Sequence, residues 1–208
     1  EPKAEFIAGI RAHYGENAAE ELDVIPAEGE GTLISLRHLI ACEDPNAGRP
    51  ELYRGGHYII GRDVARRRDG QIIWGFELVG DVMVLRDRWE ETGKSFAEQD
   101  AYFNWLMRER RMLQAGIDQT GMGEKVVEDL QRLHGTTRVQ GFLLTGPTRL
   151  DLGLSLARRV EQARIRLPYD EDIRADLMAI KRASSAGGGV RLVNDETVHA
   201  DRFWAGAI

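Results

Sequence analysis

Hydrophobic and polar positions divide the chain into short apolar or alternating runs and longer stretches with helical spacing. Short runs rich in Ile, Val, Leu and Phe predict strands, whereas apolar residues repeated every three or four positions predict helices. The predicted strands are HYIIGRD, QIIWGFELVG, DVMVLRDRWEE, MLQAGID, RVQGFLL and the short RIRLP. The predicted helices are SFAEQDAYFNWLMRERR, TGMGEKVVEDLQRLHG, TRLDLGLSLARRVEQA, DEDIRADLMAIKRA and the C-terminal HADRFWAGAI. The stretch SSAGGGVRLVND, with glycines at its centre, predicts a hairpin.

Turn and capping residues set the limits of several of these elements. Gly80-Asp81 separates two strands and predicts a hairpin with a two-residue turn. Ser95 with Glu98 forms the sequence pattern of a capping box, and Gly135 follows a helix that it would end. Strands that favour antiparallel pairing come first, and strands alternating with helices follow. This order predicts an α/β fold in which a mixed sheet is flanked by helices on both faces.

The first part of the chain has a different pattern from the rest. Short helical stretches there alternate with segments rich in Pro, Gly and acidic residues, such as DVIPAEGEGTLIS and PNAGRPELYRGG. Such a composition is typical of connecting segments. We therefore predict that residues 1–54 are a linker or the tail of a preceding domain, and that residues 55–208 form one domain.

Composition narrows the class of protein. The chain has 208 residues, a formal net charge of −6 and a single cysteine, Cys42. One cysteine excludes an intramolecular disulfide and makes a cysteine-based zinc site unexpected. The chain has no apolar run long enough to span a membrane and no signal-peptide pattern at its start. The acidic balance argues against a large nucleic-acid footprint, unless carboxylates are gathered around metal ions that reverse the local charge.

Three aspartates stand where predicted elements end or begin. Asp63 ends HYIIGRD, Asp118 ends MLQAGID, and Asp201 opens the final apolar helix. Sites in α/β sheets form at the carboxyl ends of strands, and neighbouring strands lie about 4.8 Å apart. If these two strands are parallel neighbours, their carboxylates need either a proton or a shared cation. Carboxylate oxygens suit Mg²⁺ or Mn²⁺, and two such ions can clamp a phosphodiester.

Each of these residues has a simpler interpretation when it is taken alone. Aspartate often ends a strand because it is a good turn residue, and a carboxylate at a helix N-terminus is electrostatically favourable. His199 lies two residues before Asp201 and is a metal ligand, a group that orients water or phosphate, or a capping or surface residue. The arginine run 66–68 is either a solvated turn or a phosphate clamp. The residues alone leave these alternatives open.

The segments GRDVARRRD, IDQTGMGEKVVEDL and HADRFWAGAI together resemble the nuclease domain of tailed-bacteriophage terminase large subunits, particularly those of Mu-like phages and prophages. The upstream ELDVIPAEGEGTLIS resembles the end of the ATPase domain and the linker of such proteins. The most specific parts are the aspartate near Thr-Gly-X-Gly and the terminal His-Ala-Asp-Arg-Phe-Trp-Ala. The resemblance covers nearly the whole chain from about residue 20.

This resemblance implies an RNase H-like fold and cleavage of double-stranded DNA, with little sequence specificity, by two Mg²⁺ or Mn²⁺ ions during genome packaging. It assigns the acidic metal ligands and catalytic residues to Asp63, Asp118 and Asp201, with His199 near the metals and Asp69 assisting in the first motif. The partners it implies are double-stranded DNA, the ATPase domain of the same full-length protein, the portal and the small terminase subunit. The expected location is the cytoplasm of the host cell.

Other functions are compatible with the same residues. The sequence contains no G-x-x-x-x-G-K-[ST] motif, so the chain is not expected to be the packaging motor. One alternative is another RNase H-like nuclease, such as a junction resolvase or an RNA–DNA hybrid nuclease. Another is a non-catalytic docking module for the portal or small terminase subunit, which the acidic balance favours slightly. The basic residues proposed to neutralise DNA phosphates are Arg66, Arg67 and Lys125.

Overall fold

The structure, a computed structural model, describes residues 31–64, 71–184, 189–194 and 200–208. The strands are β1 His57–Asp63, β2 Gln71–Val79, β3 Val82–Glu91, β4 Arg111–Asp118, β5 Val139–Phe142, β6 Ile165–Arg166, β7 Ile180–Ser184 and β8 Val190–Asn194. The helices are α1 Leu36–Cys42, α2 Phe96–Glu109, α3 Gly123–His134, α4 Gly146–Glu161, α5 Glu171–Met178 and α6 Asp201–Ala207, with a short 3₁₀ helix at Pro50–Leu52.

Within these residues, six strands form a mixed sheet in the order β5-β4-β1-β2-β3-β6, and β7 pairs with β8 in a separate hairpin. The first three strands form an antiparallel meander, in which β1 pairs with β2 and β2 with β3. Parallel pairing then joins β1 to β4 and β4 to β5. The carboxyl ends of β1, β4 and β5 therefore lie at the same edge of the sheet.

Apolar side chains bury both faces of this sheet beneath helices. On one face, α2 and α3 form a core with the sheet that includes Tyr58, Ile60, Phe103, Leu106, Ile117 and Leu130. On the other face, α1, α4, α5 and α6 form a core that includes Leu39, Trp74, Phe76, Leu156, Leu177 and Phe203. The predicted α/β fold, a mixed sheet with helices on both faces, is confirmed.

Two glycines allow α6 to lie directly on the centre of the sheet. Gly61 in β1 and Gly116 in β4 are register partners. A Cβ atom at Gly61 would lie 1.8 Å from the carbonyl oxygen of Ala205, and one at Gly116 would lie 2.6 Å from Ile208. Because no side chain fits in these gaps, any substitution at either glycine would push α6 away from the strands.

Several local predictions are confirmed, and one is wrong. The β2–β3 turn lies at Gly80-Asp81, and Ser95 forms the predicted capping box with Glu98. The predicted helix TRLDLGLSLARRVEQA, whose alternating leucines would also fit a strand, is the helix α4. The predicted helix DEDIRADLMAIKRA, however, ends at Met178, and residues 180–184 are strand β7. Pairing with β8 overrides the helical pattern there, since a partner strand is available only in the folded chain.

Residues 31–54, which the sequence predicts to be part of a linker, contribute side chains to the core. Leu33, Ile34, Leu39 and Cys42 are each at most 4% exposed. The compact unit that contains the sheet begins at Gly31. Assignment of this segment to the tail of an ATPase domain stays a prediction, and residues 1–30 lie outside the described residues. In the part of the chain that is described, no helix has both the length and the apolar character needed to cross a membrane.

Candidate metal centre

Asp63 and Asp118 end two neighbouring parallel strands. The residues just before them, Arg62 and Ile117, are register partners in the β1–β4 pair. The two aspartates therefore stand side by side at one sheet edge, on strands about 4.8 Å apart. Each is only 8% exposed. The prediction that these strands are parallel neighbours is confirmed, and it places two buried carboxylates next to one another.

Asp201 brings a third carboxylate to this edge from the first position of α6. Side chains alternate along a strand, so Asp63 points to the same face as Gly61, where α6 packs. Burial, and then the negative charges of Asp201 and Asp118, raise the pKa of Asp63 well above its ordinary value. The three aspartates that are far apart along the chain thus form one acidic cluster.

The electrostatics of the acidic cluster favour a bound cation or a proton. Buried like charges disfavour the ionised form of Asp63, and the guanidinium of Arg149 opposes this effect by lowering the pKa. Within the described residues, no three His, Cys, Asp or Glu side chains have the convergent geometry of a formed metal site. The carboxylates of Asp118 and Asp201 are therefore close enough to raise the pKa of Asp63, but the three do not converge on one point.

The turn after β4 uses only part of the Asp118 carboxylate. Its Oδ1 accepts a hydrogen bond of 2.8 Å from the backbone N–H of Thr120. An ionised carboxylate has about four acceptor positions on two oxygens, so one such bond leaves further acceptor capacity. The turn interpretation of Asp118 is correct, and it is compatible with a role in the acidic cluster.

A network of charged side chains fixes the start of α6. Ala200 precedes the helix and has no side chain that caps it, so Asp176 of α5 supplies the cap instead. Its Oδ2 accepts the backbone N–H of Arg202 at 3.1 Å and the guanidinium of the same residue at 3.2 Å. The Nε of Arg202 also donates to Glu90 of β3 at 2.8 Å. These bonds hold the residue that follows Asp201 in place.

Aromatic side chains anchor the same helix in the core. Phe203 is fully buried and Trp204 is 6% exposed, and their rings meet edge to face with centroids 5.0 Å apart. The guanidinium carbon of Arg149, from α4, lies 4.4 Å from the centroid of the Trp204 ring. The prediction that these two aromatic residues anchor the last helix is confirmed.

Some of the predicted site residues cannot be placed. Four lie outside the described residues, and their roles stay predictions: His199, Asp69, Arg66 and Arg67. Lys125 lies in the first turn of α3, where its side chain is 72% exposed and its Nζ lies 2.6 Å from an oxygen of Asp129. The exposed ammonium of Lys125 is therefore already paired within its own helix.

The sequence did not point to Arg149 or Asp176 as members of the site. Arg149 follows the turn-like TGPT stretch and looks like an ordinary helix residue. The sequence pattern could have identified Asp176, because it is a charged residue between Ile173 and Leu177 on the buried stripe of α5. A carboxylate at such a position needs a partner, but nothing local identifies Arg202 as that partner.

The sheet order, the helices on both faces and the acidic edge define an RNase H-like α/β domain. Residues 60–207 match the family of terminase RNase H-like domains. The match covers well over half of the chain, and the chain therefore belongs to this family. No curated protein matches it significantly.

Solved structures with the same fold come from several bacterial viruses. The large terminase nuclease from thermophilic phage G20c with bound magnesium has 17% identity and a TM-score of 0.66, over 86% of this chain and 96% of that one. The nuclease domain of the large terminase subunit gp2 of bacterial virus Sf6 has 13% identity and a TM-score of 0.65, over 85% and 96%. A large terminase from another thermophilic bacteriophage has 14% identity and a TM-score of 0.59, over 97% and 51%. At these identities the likeness establishes the fold.

Proposed function

We propose that this chain is the nuclease domain of a viral DNA-packaging terminase, a metal-dependent endonuclease that cleaves double-stranded DNA with little sequence specificity. The observation that supports this most is the acidic cluster at one sheet edge of a terminase RNase H-like domain. The cluster draws on two strands and a helix that are far apart in sequence. Buried carboxylates gathered in this way raise the energy of the domain unless they serve a bound ligand.

The residue types of the acidic cluster suit a hard divalent cation. Asp63, Asp118 and Asp201 offer carboxylate oxygens, the ligand type that Mg²⁺ and Mn²⁺ favour. Burial and then the neighbouring carboxylates raise the pKa of Asp63, and a bound positive charge would offset both effects. The proposed cofactors are two Mg²⁺ or Mn²⁺ ions, and His199 and Asp69 are proposed as further ligands. The relatives from G20c and Sf6 are described with magnesium and with manganese, respectively.

The chain's own contribution to catalysis is rigid positioning. Divalent ions, when bound, lower the pKa of a coordinated water and stabilise charge on the phosphate. Asp63 and Asp118 stand on strands in the interior of the sheet, and Asp201 stands on a helix held by Asp176 through Arg202. Displacing a reacting group by about 1 Å can cost about a hundredfold in rate, so this rigidity would be essential.

Cleavage of supercoiled plasmid in Mn²⁺ tests the proposal. We expect Asp118→Asn to lower the cutting rate by about a thousandfold or more, because one ligand loses its charge, a cost of about 4 kcal/mol in transition-state energy. The matched control is Asp81→Asn, in the exposed β2–β3 turn at the opposite end of the sheet. That control should cut like the wild type. Equal cutting by the two variants would contradict the assignment.

The same assay separates the alternative functions. Plain duplex, a four-way junction and an RNA–DNA hybrid should be offered in parallel, and we expect plain duplex to be cut. Preference for the junction or hybrid would indicate another RNase H-like nuclease. A non-catalytic docking module would cut none of them, and calorimetry with Mn²⁺ would detect no binding that depends on Asp63 and Asp118.

We also propose the wider setting of this domain. Residues 55–208 would be the nuclease domain, and residues 1–54 the linker and tail of an ATPase domain in a terminase of the Mu-like type, with residues 31–54 of that linker packed into the core of the nuclease unit. Support comes from the third of the similar structures, a large terminase of which this chain covers 51%. The proposed partners are double-stranded DNA, that ATPase domain, the portal and the small terminase subunit. The proposed location is the host cell cytoplasm.

A further inference from the structure

We propose that Arg149 binds the DNA strand, with its guanidinium contacting a phosphate next to the acidic cluster. This inference rests on the proposed nuclease function. It supplies the positive side chain that draws a phosphate toward carboxylates that would otherwise repel it. The position of Arg149, its aromatic support and its lack of a carboxylate partner within the described residues carry the inference.

Arg149 begins beside the acidic cluster because of the way β5 leads into α4. β5 is parallel to β4, and α4 starts at Gly146, shortly after β5 ends. The connecting loop is tied to the turn that follows Asp118, since the N–H of Leu144 donates to the Thr120 hydroxyl at 3.2 Å. The first turn of α4 therefore lies at the sheet edge that carries Asp63 and Asp118.

The guanidinium of Arg149 lies over the indole ring of Trp204. The distance from the Arg149 guanidinium carbon to the ring centroid is 4.4 Å, and Trp204 lies one turn after Asp201. A stacked guanidinium keeps its N–H donors in its own plane, where they can bind a phosphate through two parallel bonds. Because the ring restrains the side chain in advance, binding costs less rotamer entropy.

In the part of the chain that the structure describes, Arg149 also lacks the carboxylate partners of other partly buried arginines, such as Arg174 and Arg202. Within the described residues it makes no salt bridge, and its Nε is buried without a hydrogen-bond partner. Arg202, in contrast, donates to Glu90 and Asp176. Unmet buried donors are rare in folded proteins because they are costly, and an arginine that is stacked but unpaired is suited to an external anion.

The charge of Arg149 has opposite effects on the two proposed ligands. It attracts a phosphate, but as a positive charge beside the acidic cluster it repels cations there. Removing this charge should therefore weaken DNA binding and strengthen metal binding. A purely structural role predicts a different outcome, because both ligands would lose affinity if the sheet edge were distorted.

Binding measurements on three variants test this. Arg149→Met removes the charge and keeps an apolar stem, Arg149→Lys keeps the charge without the planar fork, and Arg158→Met at the exposed far end of α4 is the matched control. Anisotropy of a fluorescein-labelled duplex in EDTA gives DNA affinity as a function of KCl concentration. Calorimetry with MnCl₂ in the absence of DNA gives metal affinity.

We expect Arg149→Met to bind the duplex about tenfold more weakly, as for a lost charge-assisted bond. Its plot of log affinity against log salt should be less steep by about 0.9, the value for one phosphate contact. Its Mn²⁺ affinity should rise severalfold. Arg149→Lys should keep the wild-type salt slope at reduced affinity, and Arg158→Met should match the wild type throughout.

An unchanged salt slope in Arg149→Met, or a loss of both DNA and Mn²⁺ affinity, would overturn the proposal. If Arg149→Met does not fold, Arg149→Lys decides: an affinity equal to wild type would show that the fork contacts nothing. A wild-type protein that binds neither duplex nor Mn²⁺ would instead refute the proposed nuclease function. The two failures are therefore distinguishable.

Discussion

On the sheet face covered by α2 and α3, buried carboxylates lie beside arginines. Glu77 is 1% exposed and accepts hydrogen bonds of 2.8 Å from the Nε of Arg86 and from the backbone N–H of Arg54. Asp87, also 1% exposed, accepts two bonds from Arg110 at 3.0 and 3.1 Å. Charge on this face is matched at short range, as it is in most buried ion pairs.

In the acidic cluster beside α6, the two buried carboxylates lie beside one another instead of being paired with any arginine that the structure describes. Asp63 and Asp118 are nearly as buried as Glu77, but their nearest charged neighbours include other carboxylates. Burial raises the pKa of Glu77, but the hydrogen bonds from Arg54, Arg86 and Gly56 together lower it by more. Its pKa is therefore below the ordinary value. The pKa of Asp63 ends well above its ordinary value. Arginines therefore neutralise the buried carboxylates on the face covered by α2 and α3. In the acidic cluster, neutralisation is proposed to come from a bound ligand.

Breaking a compensated pair should have the largest effect on stability. We expect Glu77→Gln to lower the free energy of unfolding by about 3–5 kcal/mol, because the guanidinium of Arg86 stays buried without its counter-charge. Urea denaturation followed by circular dichroism measures this. Cutting per folded molecule should not change, since Glu77 lies on the other face from the acidic cluster. A variant with wild-type stability would show that this face does not depend on charge pairing.

Removing a charge from the acidic cluster should raise the free energy of unfolding instead of lowering it. The raised pKa of Asp63 means that the folded state binds its proton more tightly than the unfolded state does. Metal-free protein should therefore gain stability as pH falls from the folded pKa of Asp63 toward its lower unfolded value, with no further gain from this group below that. Each unit of elevation corresponds to about 1.4 kcal/mol. At neutral pH, Asp63→Asn should be more stable than the wild type in EDTA.

Thermal unfolding between pH 4 and pH 8 measures this difference, because the gain on acidification should disappear in Asp63→Asn. Glu77 has the reverse linkage: its stabilisation is present above its unfolded pKa and is lost as pH falls through its lower folded pKa. As pH falls, the two groups therefore change the stability in opposite directions. Equal pH profiles for the wild type and Asp63→Asn would contradict the raised pKa that burial and the neighbouring carboxylates give Asp63.

The sheet and the three aspartates could be predicted from the sequence because both depend on local patterns. Strands β1 and β4 are apolar runs that end in an aspartate, and their parallel pairing follows from the alternation of strands and helices. Asp201 was found because a charged residue opens an otherwise apolar helix. In each case a short stretch of sequence is enough to identify the residue.

Contacts between distant elements could not be predicted in this way. The stacking of Arg149 on Trp204 joins α4 to α6, and the cap from Asp176 joins α5 to α6. Strand β7 was predicted as helix for the same reason, because only its pairing with β8 makes an extended conformation favourable. Such pairings have no signature in a single chain, since the partner lies elsewhere in the sequence.

The smallest effect on DNA binding is expected at Lys125. Its charge is exposed and already paired, whereas that of Arg149 has no such partner in the described part of the chain, so the two residues can be compared directly. The ammonium of Lys125 lies 2.6 Å from Asp129 and is 72% exposed, so a DNA phosphate would have to compete with a carboxylate that is already in place. We therefore expect Lys125→Met to change the salt slope of duplex binding by less than Arg149→Met does, and to leave thermal unfolding unchanged. Anisotropy of the same labelled duplex checks this. If Lys125→Met flattened the slope as much as Arg149→Met, pairing with a carboxylate would not weaken a phosphate contact. The absence of an ion pair at Arg149 within the described residues would then no longer support its proposed role.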